Sequence, residues 1–156
     1  MRGLRNNNPL NIRYMKKNAW KGRTREKKDA EFEEFVGMNW GYRAAFLILY
    51  KYMTVYRLRT VFQICARWAP LNDNNDTMSY VRFVCNRLGC SQNDELAFID
   101  VERMVCLAAA MTEIECGVEA DKRQIISGYV LAASYFGFSR AAIEAQQLRD
   151  KLSEKQ

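Results

Sequence analysis

A mainly α-helical domain with a small N-terminal β/loop lobe is the fold predicted by this chain of 156 residues. Three observations predict it. Beyond residue 38, apolar side chains recur at helical spacing in successive segments, most of them opened by Asn, Thr or Asp and closed by Gly or Pro. Before that point the chain is polar, basic and rich in turn formers, beginning with the stretch RGLRNNNPLNIR from Arg2 to Arg13. The length suits one domain able to bury roughly two thirds of its unfolded surface around one core, so residues 1–156 form a single unit with a polar lobe over 1–38 and a helical core over 39–150.

Within the lobe, Asn side chains tolerate left-handed backbone and bond their own main chain. Pro9 forces Asn8 into an extended conformation, and residues 11–14 are expected to continue as a short strand. Lys16 to Lys28 is a basic, loop-like excursion punctuated by Trp20 and Gly22. Residues 29–35, anchored by Phe32 and Phe35, are expected to pair with residues 11–14.

In the helical part, Asn39 is expected to cap an apolar helix from Trp40 to Tyr56, and Thr60 to open a shorter one that runs to Trp68 and is ended by Pro70. The amide- and carboxylate-rich loop from Ala69 to Asp76 leads into a helix capped by Asp76 or Thr77, with Met78, Val81, Val84 and Leu88 on one face and Gly89 as its stop. Asp100 caps the next helix, which Gly117 ends after Cys116. Two more follow, from about Asp121 to Phe136 and from Ser139 into the charged tail, the last with Ile143, Leu148 and Leu152 on one side.

Composition narrows the chemistry. With no histidine present, Ser-His-Asp and Cys-His catalysis and the commonest zinc ligand are all excluded, so any chemistry runs on carboxylates, and no metal or cofactor is implied. The five cysteines form no C-x-x-C pair and read as reduced, packed thiols, with a Cys85–Cys90 bridge as the alternative. A net charge of +6 suits an anionic partner. No run approaches the roughly 18 apolar residues of a membrane span, and residues 1–6 lack the apolar core of a signal peptide, so synthesis in the cytoplasm is expected.

Glu115 is the carboxylate best placed for catalysis. At 100° per residue, Met104, Ala108, Met111 and Glu115 fall within about 60° of one another, while Glu113 lies roughly opposite. A glutamate on the buried stripe in a last helical turn is disfavoured as an anion by desolvation and by the helix dipole, which suits a general acid. If the helix phase is rotated, Glu115 is instead a solvated or arginine-paired surface group.

The ordered set RGLRNNNPLNIR, Trp20-Lys-Gly, Phe32 to Phe35, Gly41-Tyr-Arg-Ala, Arg67-Trp-Ala-Pro, Asn75-Asp-Thr, Tyr80 and Glu115-Cys-Gly resembles a family of phage and prophage virion-associated proteins. The resemblance spans Arg2 to about Gly117. The segment from Asn8 through Phe35 into Gly41 also resembles the stretch that follows the catalytic glutamate in bacterial wall glucosaminidases and related lysozyme-like enzymes. Those enzymes place an Ala-rich helix ending in Glu-x-Gly before that stretch. Here AAAMTEIECG, from Ala108 to Gly117, comes after it, which implies an α+β, lysozyme-like fold in circularly permuted order. Two positions depart from the pattern, Leu10 where a glycine is expected and Cys116 where Asn or Ser is usual.

The resemblance implies cleavage of peptidoglycan between N-acetylmuramic acid and N-acetylglucosamine, with Glu115 as acid. Arg5, Asn6, Asn8, Asn11, Arg13, Asn75 and Tyr80 would bind substrate, and Glu33, Glu34, Asp73 and Asp76 are candidates for a second carboxylate. A lytic transglycosylase is the favoured variant because it needs one essential carboxylate; a lysozyme would add a second. The implied partners are peptidoglycan and virion components, secretion machinery or an inhibitor. The wall would then be reached by lysis release, virion carriage or secretion. A non-catalytic virion or secreted protein on the same scaffold is the main alternative. Nucleic-acid binding is a third reading, disfavoured because only residues 16–28 cluster basic charge and no recognition motif is present.

Overall fold

The computed structural model describes residues 1–155. Its helices are α1 (Arg2–Arg5), α2 (Met38–Thr54), α3 (Val61–Trp68), α4 (Thr77–Leu88), α5 (Val101–Cys116), α6 (Lys122–Tyr135) and α7 (Ser139–Glu154), with a 3₁₀ turn at Leu71–Asp73 between α3 and α4. None is long and apolar enough to cross a membrane.

Local chemistry sets most of the boundaries. Thr60 and Gln63 form a reciprocal capping box at α3. The carboxylates of Asp76, Asp100 and Asp121 accept main-chain N–H groups at the starts of α4, α5 and α6. Gly117 ends α5 in the left-handed conformation at φ 66°.

The core has α5 in its middle, packed against α1, α4, α6 and α7. Met104, Leu107, Ala108 and Met111 are essentially inaccessible to solvent. Helix α2 crosses α6 at close range because Gly128 has no side chain; a Cβ there would lie 2.4 Å from the Tyr42 Cβ and 2.8 Å from the Asn39 carbonyl. Phe46, Phe98 and Tyr129 pack edge-to-face and stacked beside this crossing, and the Tyr129 hydroxyl donates to the Phe98 carbonyl at 2.6 Å.

Several expectations are corrected. The N-cap of α2 is Gly37, in extended conformation, not Asn39. Starting there brings Trp40 over Gly22, where a Cβ would meet the indole at 2.3 Å. Residues 2–5, expected as loop, form a helical turn.

The strands expected at 11–14 and 29–35 are reduced to isolated bridges, Arg13 with Phe32 and Arg23 with Phe35. Side chains interrupt the ladder, since the Asn8 and Asn7 amides occupy the Glu33 and Phe35 carbonyls. Met78 and Ile143 are exposed rather than core-facing. Thr77 and Tyr80 turn the inner face of α4, and Ala141, Ala142 and Ala145 let α7 approach closely. All five cysteines are free, including Cys85 and Cys90, and burial pushes the Cys65 thiol up to about 12.

Helix propensity alone predicts that Gly128→Ala stabilises the protein by about 1 kcal/mol. The crossing geometry predicts the reverse, a net loss of about 1–3 kcal/mol, because both helices must shift to accept the methyl group. Chemical denaturation of the variant decides the sign.

Candidate active site

The N-terminal lobe is built on two buried polar knots. In the first, the Asp29 carboxylate accepts a bidentate pair from Arg2 at 2.6 and 2.8 Å, the Asn6 amide at 2.8 Å and the main-chain N–H groups of Glu31 and Phe32. The Arg2 guanidinium, helped by the other donors, holds this carboxyl well below the usual carboxylate range.

The second knot is Asn8, which is fully buried. Its amide donates to the Ile12 and Glu33 carbonyls at 2.9 and 3.0 Å, and its oxygen accepts the Ile12 N–H at 2.9 Å. Every donor of that side chain is spoken for, so Asn8 shapes the lobe and has nothing left to offer a ligand. Asn6, 2% exposed, is likewise committed through its amide to Asp29.

The loop from Asn7 to Asn11 rests directly on the backbone of α2 and on the end of α5. A Cβ on Gly41 would lie 2.1 Å from the Asn7 carbonyl oxygen and 2.8 Å from Pro9. Cys116 donates its Sγ–H to the Pro9 carbonyl at 3.3 Å. Leu10 is buried in the core at 1% exposure and does not narrow any cleft. Asn7 and Asn11 both take left-handed backbone, with φ of 50° and 51°, the conformation that asparagine tolerates best among side-chain-bearing residues.

That turn delivers Asn11 to Glu115. The Asn11 amide donates to Glu115 Oε2 at 2.9 Å and to the Glu115 main-chain carbonyl at 3.3 Å, joining residues 104 positions apart and meeting an unpaired carbonyl of the last α5 turn. From α4, the buried Tyr80 hydroxyl donates to Oε1 at 3.4 Å. Desolvation raises the Glu115 pKa, and the hydrogen bonds from Asn11 and Tyr80, which favour the charged form, offset part of that rise. Glu113 faces away and pairs with Arg87 at 2.7 Å.

Asn11 also lines a groove of about 530 Å³ between the lobe and the helices. Arg13 and Trp20 bound it on the lobe side. Leu47, Ile48, Lys51, Tyr52 and Tyr56, one face of α2 and its exit, form another side, and Arg67, Trp68 and Asp73 complete it. The apolar character of α2 all round thus has two causes: Ala45, Phe46 and Leu49 enter the core, while Leu47, Ile48 and Tyr52 face the groove.

A larger hollow of about 890 Å³ lies against Arg2, Arg5, Asn6 and Glu34 and does not include Asn11. The Asp29 carboxylate at its wall is held ionised, and the Glu34 carboxylate accepts the Asp29 N–H.

The sequence candidates therefore separate. Asn11 and Tyr80 converge on Glu115, and Arg13 lines the same groove as Asn11. Arg5 and Asn6 lie at the other hollow, and the Asn75 amide donates to the Pro70 carbonyl at 3.0 Å, shaping its loop. Among the possible second carboxylates, Glu33 is fully buried against Arg23 at 2.6 Å, Glu34 faces the larger hollow, and Asp76 caps α4. Asp73 alone of the four lines the groove. None of the groove aromatics Trp20, Tyr52, Tyr56 and Trp68 is among the site residues expected from the sequence, although Trp20-Lys-Gly and Arg67-Trp68 belong to the family-like pieces.

No protein-family model matches the chain. It is 40% identical over 118 residues to Protein P5 of Pseudoalteromonas phage PM2, a match covering 74% of this chain and 71% of that one. The chain belongs to this phage protein family. Membership supplies no chemistry, because the relative's name states none.

Two outcomes follow for stability. Asn8→Leu strands the Ile12 N–H and the Glu33 carbonyl and takes one of two donors from the Ile12 carbonyl, and is expected to cost on the order of 3 kcal/mol in denaturant titrations. Because the fold holds the Glu115 proton more tightly than the unfolded chain does, wild-type stability falls as pH rises from the ordinary value of 4.5 through the raised one. Glu115→Gln removes that titration, so its Tm relative to wild type should be higher at pH 8 than at pH 4; an identical difference at both pH values would show that the carboxyl is not perturbed.

Proposed function

We propose that the protein cleaves peptidoglycan glycan strands between N-acetylmuramic acid and N-acetylglucosamine as a lytic transglycosylase, with Glu115 as general acid. The observation that carries this reading is the half-buried Glu115 carboxyl, raised in pKa by desolvation and tied by Asn11 to the wall of an aromatic, basic groove. An acid that keeps its proton toward neutral pH is what the departing glycosidic oxygen requires.

In this reading Glu115 protonates the bridging oxygen as its bond to the muramic C1 breaks. The muramic 6-hydroxyl then bonds to C1 and returns its proton to the Glu115 carboxylate, leaving a 1,6-anhydro end without consuming water. Tyr80 and Asn11 hold the carboxylate between these two proton transfers. Trp20 lines the groove, where its ring offers an apolar surface to a sugar, and its buried indole N–H finds no acceptor among the described residues. The commitments of Glu33, Glu34 and Asp76 favour the one-carboxylate route; a hydrolytic lysozyme would have to use Asp73. A phage relative favours delivery to the wall with a virion or at lysis, with virion components as partners.

Purified peptidoglycan incubated with the protein should release 1,6-anhydro muropeptides, identified by mass. Glu115→Gln is expected to reduce the rate about 10²- to 10⁴-fold, whereas Asp73→Asn should leave it within a few-fold. Reducing ends that disappear in Asp73→Asn would instead indicate a lysozyme. Binding without release by the wild type would establish a non-catalytic glycan-binding protein. Tyr80→Phe removes a donor to the charged carboxylate, so the falling limb of its pH–rate profile should move to higher pH.

A further inference from the structure

We propose that Arg67 and Lys51 make this groove selective for glycan carrying acidic substituents, the carboxylates borne on muramic acid, over neutral N-acetylglucosamine polymers. The inference rests on the reading that the groove holds wall glycan, and it names what the groove distinguishes. A neutral sugar chain is matched by amides, hydroxyls and aromatic faces, and Asn11, Asn18, Trp20 and Trp68 already supply these. The charge is in excess of that need. Arg13, Lys17, Lys51 and Arg67 line the groove against a single carboxylate, Asp73, and among the described residues none of the four cations has a carboxylate at ion-pair distance.

Three of these cations lie over aromatic rings without being neutralised, Arg13 over Phe32, which does not line the groove, and Arg67 and Lys51 over groove tyrosines. The Arg67 guanidinium lies 4.6 Å from the Tyr56 ring centre and 5.8 Å from that of Tyr52, and Lys51 Nζ lies 5.5 Å from Tyr56. A ring face restricts where a guanidinium sits, and with five N–H groups it can still meet a carboxylate while one of them leans on the Tyr52 hydroxyl. Arg67 and Lys51 come from α3 and α2, so two elements of the helical core present charge toward the same tyrosine, Tyr56. Both side chains are exposed, which makes them dispensable for folding and available to a ligand.

The test uses the full chain carrying Glu115→Gln, so that bound strands persist, and reads intrinsic tryptophan fluorescence, because Trp20 and Trp68 line the groove. Three probes are titrated at fixed salt: soluble muramyl glycan strands, chitohexaose and poly-glutamate. Muramyl strands are expected to bind about tenfold more tightly than chitohexaose, a difference of about 1.4 kcal/mol. Adding Arg67→Ala and Lys51→Gln should bring that ratio close to one, while Arg140→Ala and Lys151→Gln, which remove the same charge from α7, should preserve it.

Equal binding of muramyl strands and chitohexaose, or a ratio untouched by the double substitution, overturns the selectivity and leaves the glycan reading standing. Poly-glutamate binding as tightly as muramyl strands also overturns it, by showing a general polyanion surface. Binding of neither glycan removes the glycan reading itself.

Discussion

The lobe side of the groove depends on the buried amide of Asn8. In a sheet, the carbonyls of residues 12 and 33 and the N–H of residue 12 would share the work of pairing with neighbouring strands. Here one side chain meets the N–H and both carbonyls, and Ile12 additionally accepts from Glu33 N. A buried amide so engaged leaves little desolvation cost outstanding, whereas each broken bond exposes the full cost of an unmet polar group. The loop is therefore defined by polar accounting more than by apolar contact. Its left-handed residues, Asn7 and Asn11, are affordable because the bonds around Asn8 hold them there.

Clamping that loop requires small residues on the opposing surfaces. Gly41 lets the Asn7 carbonyl and Pro9 rest on the backbone of α2, and Gly3 lets α1 sit against Cys116 at the end of α5. The loop is thus wedged between the helix that forms the groove's apolar face and the helix that ends in Glu115. Any displacement of the wedge changes the groove and the acid together, because Asn11 belongs to both. The same reasoning explains why the conspicuous asparagines have different fates: Asn6 and Asn8 point inward as scaffold, and Asn11 emerges at the seam.

What could be read from the chain follows the range of the interactions. Caps at Thr60, Asp76 and Asp100 and the stop at Gly117 are decided within a few residues, and the sequence shows them. Placing Glu115 beside Met111 on the stripe of α5 needed only helical periodicity, and the partially buried carboxyl agrees with that phase. The destinations of Glu33, Asp29 and the Asn8 amide depend on partners 10 to 27 residues away, across a lobe with almost no regular structure, and no local pattern specifies them. The groove was hidden for a different reason. Half-buried aromatics such as Tyr52 and Trp68 have the same spacing whether they seal a core or line a cleft, and only the position of the lobe makes the difference.

The placement of Glu115 shows how one position can reconcile opposed requirements. Deeper in α5, beside Met111, the carboxyl would be sealed from any ligand; beyond Gly117 it would be solvated and ordinary. In the last turn it is shielded on the helix side, lies at the negative end of the helix dipole and still reaches the seam. Asn11 and Tyr80 pull the other way by stabilising the anion, an opposition that the proposed role, giving up a proton and then taking one back, would require. Removing every donor would trap the proton, and adding a cation would expel it. Among the described residues no cation pairs with Glu115, although four line the neighbouring groove, so positive charge lines the groove while the carboxyl is hydrogen-bonded only by neutral donors.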